Sequence, residues 1–193
     1  MSLKSLCFTK DWTLFLDRDG VINKRIPGGY VTRWEDFEFL EGVLEALKIF
    51  TGIFGRIIIV SNQQGIGKGL MTVEQLKTVD SRMKAEIIHA GGWIDGSYYS
   101  PHLEEDAHPD RKPGTGMGLK AKADFPEIEF SKSIMAGDSS SDIAFGKNLG
   151  MLTVFIGENQ TEEDKSTKAE YNFKSLFDFA KTIIQNSTLN TQH

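Results

Sequence analysis

The stretch Leu14-Phe15-Leu16-Asp17-Arg18-Asp19-Gly20 is an apolar run that ends in two aspartates one residue apart. The run Trp12–Leu16 is too short for a helix and reads as a buried strand. Residues i and i+2 of a strand share a face, so Asp17 and Asp19 are expected to reach one site. A site at the carboxyl edge of a sheet is where open α/β folds bind ligands. Two close carboxylates repel, so the pair implies a divalent metal or a shared proton.

Outward from this run, apolar and amphipathic stretches alternate. Arg56–Val60, Ser133–Ala136 and Leu152–Ile156 read as further buried strands, rich in Ile, Val and Phe, with Gly96–Ser100 and Tyr171–Phe173 as two more. Helical patterns lie between them at Gly42–Phe50, Thr115–Ala123 and Ser141–Leu149, and after them at Lys174–Gln185. Thr72 and Gln75 form a capping box for a helix that runs to His89 and closes at Gly91-Gly92. Strands alternating with helices predict an α/β fold: a Rossmann-like, doubly wound, mostly parallel sheet with helices on both faces. One domain is expected over residues 1–185. The acidic segment Glu158–Lys168 reads as a loop, and the polar tail 186–193 as disordered.

Composition narrows the function. The chain has 193 residues and a formal charge of −5, so no global field favours nucleic acid. No run is long enough to span a membrane, and no signal peptide is visible, so a cytoplasmic protein without a membrane partner is expected. Cys7 is the single cysteine, which excludes an internal disulfide framework and fits a reducing compartment. No arginine follows it closely, as a cysteine phosphatase would need. The spacing after Asp17 does not match a calcium-binding EF-hand, because Gly20 falls at loop position four. Gly65–Gly69 lacks the Ser or Thr that follows Gly-Lys in a P-loop.

Three more polar clusters adjoin predicted elements: Ser61-Asn62-Gln63, Arg111-Lys112-Pro113 and Gly137-Asp138-Ser139-Ser140-Ser141-Asp142. In a parallel sheet the strand ends meet at one edge, so these clusters converge on Asp17 and Asp19. The ordered set Asp-x-Asp-Gly, Ser, Lys and Gly-Asp-x-x-x-Asp resembles the haloacid dehalogenase superfamily, from Asp17 to Gly157. Within it, Asp17-Arg18-Asp19-Gly20-Val21-Ile22-Asn23, Gly29-Tyr30-Val31, Phe37-Glu38-Phe39-Leu40 and Ser61-Asn62-Gln63 resemble the heptose-bisphosphate and histidinol-phosphate phosphatase branch.

That resemblance implies a cap-less, Mg²⁺-dependent phosphatase that works through an aspartyl-phosphate. By resemblance, Asp17 is the nucleophile and Asp19 the acid and base. Ser61 and Lys112 hold the phosphoryl group. Asp17, the Asp19 carbonyl and Asp138 are metal ligands, and Asp142 supports them through a bound water or a loop. Asn23, Asn62, Gln63, Lys68 and Arg111 are expected to contact substrate. The substrate is expected to be a small phosphorylated metabolite, with heptose 1,7-bisphosphate first, histidinol phosphate second and a polynucleotide 3′-phosphate last. Gly65–Gly69 and Tyr98-Tyr99 favour the heptose, and a monomer is expected.

Two departures stand out. Many relatives carry a zinc loop before Arg-Lys, and the corresponding positions here are Ser100, His102, His108 and Asp110. With its cysteines missing, this degenerate loop is not expected to hold zinc. Ser139 stands where heptose-bisphosphate phosphatases carry a lysine, which removes one cation from the substrate side.

Overall fold

The computed structural model describes residues 8–158 and 168–189, with side chains as far as residue 185. Its strands are β1 (Thr13–Leu16), β2 (Arg56–Asn62), β3 (Gly96–Ser100), β4 (Ser133–Gly137), β5 (Leu152–Ile156) and β6 (Tyr171–Phe173). All pair in parallel, in the order β3-β2-β1-β4-β5-β6. The helices are α1 (Val43–Ile53), α2 (Val73–His89), α3 (Gly116–Asp124), α4 (Ser140–Asn148) and α5 (Leu176–Leu189).

Alternation along the central strands builds two core layers. Leu14, Leu16, Ile57 and Ile59 pack with Leu47 and Phe50 of α1, Met83 of α2 and Phe179 of α5. Phe15, Ile58 and Val60 face the other way, onto Met117 of α3 and Phe145 of α4. Every one of these side chains is buried. The fold is therefore the doubly wound sheet expected from the alternating pattern, and every named strand of the described residues belongs to that one sheet.

Boundaries differ where polar residues continue a regular backbone. β2 runs on to Asn62 because Ser61 and Asn62 pair with Tyr99 and Ser100 of β3, and a ladder bond needs no apolar side chain. α1 continues past Phe50 to Ile53, where the Phe54 N–H still reaches the Phe50 carbonyl at 2.9 Å. α5 extends through Leu189, four residues beyond its expected end and into the tail read as disordered. The acidic loop between residues 159 and 167 and the last four residues lie outside the described residues. The capping box of α2 is formed as read: the Gln75 N–H donates to Thr72 Oγ1, and the Thr72 N–H donates to Gln75 Oε1.

Candidate active site

β1 and β4 lie side by side, and the chain crosses over in opposite directions from them, which opens a crevice at their carboxyl ends. Asp17 follows β1 and Asp138 follows β4. The Asp17 N–H donates to the Ala136 carbonyl at 3.0 Å, so the two strand ends are tied together. Carboxylate oxygens of Asp17, Asp138 and Asp142 lie within 4.8 Å of one another. Gly20, at φ +96°, makes room for this cluster: a Cβ there would stand 1.9 Å from Asp138 Oδ2. The strand itself stops at Leu16, and the Arg18 carbonyl then accepts the N–H groups of Val21, Ile22 and Asn23 in a tight turn. The two aspartates thus share a site through this turn and not through strand periodicity.

Lys112 is the buried counter-charge. Its ammonium donates to Asp17 Oδ1 at 2.8 Å and to the Val60 carbonyl at 2.7 Å, and pairs with Asp142 Oδ1 at 2.5 Å. Burial works against its charge, but the carboxylates of Asp142 and Asp17 outweigh it and raise its pKa. Burial pushes Asp17 above the usual carboxylate range against the pull of Lys112, with Asp142 and Asp19 adding to the rise. Asp138 is pushed up to about 8 by burial and by the charges of Asp17 and Asp142. Asp142 Oδ2 accepts the N–H and hydroxyl of Ser139. Ser139 therefore orients Asp142 at the start of α4.

Asp19 has the opposite electrostatics. Burial opposes its charge, yet the Arg18 guanidinium and the amides of Asn23 and Gln63 hold it below the usual range. Arg18 Nη2 donates to both Asp19 oxygens at 2.9 Å, Asn23 Nδ2 reaches Oδ1 at 2.9 Å and Gln63 Nε2 reaches Oδ2 at 2.6 Å. Asn23 and Gln63, expected at the substrate, are instead buried behind Asp19 with their amides committed to it. Arg18, fully buried, went unread in the sequence. Its signal is a charged side chain set between two aspartates directly after an apolar strand.

A cavity of about 630 Å³ opens over these groups, lined by Asp17, Asp19, Ser61, Lys112 and Asp142, with Arg25, Lys68 and Arg111 on its walls. A chain of net negative charge thus gathers four cations at one cavity. Asn62 also lines it, but its amide is latched to the Lys112 backbone by bonds of 3.0 and 3.1 Å. It positions lysine more than it offers donors to a ligand. Lys68 Nζ donates to the Tyr30 hydroxyl at 3.1 Å, and Arg111 Nη1 donates to the His102 carbonyl at 3.2 Å. Tyr98 and Tyr99 do not face the cavity, since their hydroxyls donate to Asp124 and Asp80. Arg25 was not anticipated.

The second cluster also forms. His102 and His108 stack with ring centroids 3.4 Å apart, and Asp110 joins them, with donor atoms of all three within 4.8 Å. Asp110 Oδ2 is paired with Lys120 at 2.5 Å, and His108 Nδ1 accepts the Asp110 N–H. Both are therefore already committed to protein partners. At the main site the donors are all oxygens, three carboxylates and a backbone carbonyl, the set that a hard divalent ion such as Mg²⁺ takes.

Comparison with known proteins agrees with this fold. A family model for HAD-like hydrolases matches residues 110–179. A D-glycero-α-D-manno-heptose-1,7-bisphosphate 7-phosphatase of Mycobacterium tuberculosis is 35% identical over 89% of this chain and 91% of its own. The enzyme so named in Campylobacter jejuni is 36% identical, covering 89% and 97%. A β-anomer 7-phosphatase of Helicobacter pylori is 31% identical, covering 90% and 99%. A solved D,D-heptose 1,7-bisphosphate phosphatase from B. bronchiseptica, complexed with magnesium and phosphate, superposes with a TM-score of 0.79 over 90% of this chain and 98% of that one, at 22% identity. Identity of 31–36% sustained along nine-tenths of the sequence, together with the match to the HAD-like hydrolase model, makes this chain a member of the haloacid dehalogenase superfamily of phosphatases.

Proposed function

We propose that the protein is a Mg²⁺-dependent phosphomonoesterase that removes the 7-phosphate of D-glycero-D-manno-heptose 1,7-bisphosphate. The observation that carries this reading is the cavity itself. A buried carboxylate cluster and Lys112 form its floor, while Lys68 and Arg111 stand free of the cluster on its walls. One phosphate fits the floor, and the wall cations suit a second. Three relatives named for this substrate, at 31–36% identity, support the same reading.

Phosphate-monoester hydrolysis is among the slowest uncatalysed reactions, so the site must both supply a nucleophile and neutralise charge. Asp17, the Asp19 carbonyl and Asp138 would hold Mg²⁺, which offsets carboxylate repulsion and draws charge off the phosphoryl oxygens. Lys112 fixes the rotation of the Asp17 carboxylate through Oδ1 and remains charged beside it. Asp17 attacks phosphorus, the bond from phosphorus to the sugar oxygen breaks, and that oxygen takes a proton from Asp19. Asp19 is held as a carboxylate by Arg18, Asn23 and Gln63. The arriving phosphate dianion raises its pKa by like-charge repulsion and loads the proton. Water then attacks the aspartyl-phosphate, Asp19 takes the water's proton, and inorganic phosphate leaves. Ser61 and Lys112 steady the phosphoryl oxygens throughout.

Cys7, the lone thiol, supports a cytoplasmic setting, and the enzyme is read as a monomer of one domain. No helix among the described residues is long and apolar enough to cross a membrane. The test is turnover of a substrate panel with Mg²⁺: both anomers of the heptose bisphosphate, histidinol phosphate and a 3′-phosphorylated oligonucleotide. The heptose bisphosphate is expected to lead in kcat/KM and to lose one phosphate, and Asp17→Asn to lose activity by roughly 10⁴-fold. Preference for histidinol phosphate or the oligonucleotide overturns the substrate, and an active Asp17→Asn overturns the nucleophile.

A further inference from the structure

Arg25 makes two hydrogen bonds that the expected chemistry of the site does not use. Its Nε donates to the Asp19 carbonyl at 2.9 Å, and its Nη2 donates to Asp138 Oδ1 at 2.7 Å. These are two of the three groups assigned above to the metal. The guanidinium lines the cavity beside Asp17, Asp19 and Asp142. The side chain comes from an exposed loop rather than from the core, with 54% of its surface accessible, so it has somewhere to go. Arg18 and Lys112 are buried, Arg18 bonded to both oxygens of Asp19 and Lys112 to Asp17 and the Val60 carbonyl. Arg25 is the exposed cation at this cluster.

A carbonyl or carboxylate oxygen held by a guanidinium fork cannot at the same time present that lone pair to a small, strongly coordinating ion. We propose that Arg25 is a competitor for the metal position: it holds the Asp19 carbonyl and Asp138 as an internal counter-ion, and a divalent cation binds only by displacing it. This rests on the assignment of Asp17, Asp19 and Asp138 as ligands. Loading is then an exchange of one cation for another, and the observed metal affinity is the intrinsic one reduced by the fraction of molecules with Arg25 swung out.

The test is Mg²⁺ titration by calorimetry, without substrate, on wild type, Arg25→Gln, Lys68→Gln and Asp138→Asn. If about one molecule in ten has Arg25 displaced, Arg25→Gln binds Mg²⁺ about tenfold more tightly than wild type. Lys68→Gln removes the same charge from the same cavity but touches no ligand group, so it stays within about twofold. Equal gains in both variants would reduce Arg25 to a remote charge and overturn the proposal. Unchanged or weaker binding in Arg25→Gln overturns it as well. Asp138→Asn separates the ligand assignment from the exchange. Mg²⁺ binding that Asp138→Asn leaves intact overturns the ligand assignment, and the exchange with it. Binding that it abolishes, with Arg25→Gln at wild-type affinity, overturns the exchange alone. Melting temperatures of the four proteins without metal give a second readout: Arg25→Gln is expected to melt below Lys68→Gln, because only it removes the cation paired with Asp138.

Discussion

Asp138 shows how much one carboxylate can report on the site. Its ordinary pKa of 3.8 is pushed up to about 8 by burial and by Asp17 and Asp142, with Arg25 and Lys112 pulling the other way. A carboxyl with a raised folded pKa binds more protons in the folded state than in the unfolded one. Its contribution to stability is full below the unfolded pKa and is lost as pH rises towards the folded value. In EDTA, the melting temperature is therefore expected to fall between about pH 5 and pH 8, and millimolar Mg²⁺ to restore it at the upper end. Thermal melts across that range check this, and Asp138→Asn should flatten the slope. A melting temperature that rises over the same window without metal would contradict the assignment. Asp17 and Asp19 were legible in the sequence because three further polar clusters follow the Asp-x-Asp pair in order, not from the pair alone. Arg18 and Arg25 were not, because an arginine in a polar loop is ordinarily a solvated charge, and only the folded turn shows one buried and the other bridging.

At the scale of the element, the turn after β1 is the part with least tolerance. Gly20→Ala would place a methyl against the Asp138 carboxylate at a φ that favours glycine, so loss of Mg²⁺ affinity and activity is expected, read by calorimetry and turnover. The N-terminus of α2 is a contrasting case. Thr72→Ala removes one arm of its capping box and should cost about 1 kcal/mol in denaturant unfolding while leaving kcat unchanged. Caps of this kind are readable because donor and acceptor lie three residues apart in the chain. The end of β2 was not, since Ser61 and Asn62 are held in the strand by β3, almost forty residues away. The same long-range pairing sets Asn62 against the Lys112 backbone, which turned an expected substrate contact into a support for the buried lysine.

Across the whole molecule, three loops meet over the crevice between β1 and β4. Lys68 bonds Tyr30, and the Gly67 N–H donates to the Pro101 carbonyl at 3.2 Å, a contact so close that a Cβ on Gly67 would stand 2.5 Å from that oxygen. These contacts bring Lys68 and Arg111 to one cavity although they are far apart in sequence. If they read the second phosphate, Lys68→Ala raises KM for the bisphosphate by about tenfold, the value of one charge-assisted hydrogen bond. It should leave KM for p-nitrophenyl phosphate, which has no second anion, unchanged. Equal effects on both substrates would place Lys68 at the reacting phosphate instead.

The amino-acid sequence by itself determined the alternation of strands and helices, the doubly wound sheet and the four polar segments at its carboxyl edge. Those features follow from local patterns, namely apolar runs, capping residues and the rule that parallel strands end on one side. Only the tertiary structure decided which polar side chains face the cavity and which are spent on one another. Asn23, Gln63 and Asn62 went to support Asp19 and Lys112, while Arg25 entered the carboxylate cluster. Apart from Asn23, which is only four residues from Asp19, that division depends on contacts between residues 44 to 113 apart, where the balance between burial and pairing is settled by three-dimensional proximity and leaves no periodic trace in the chain.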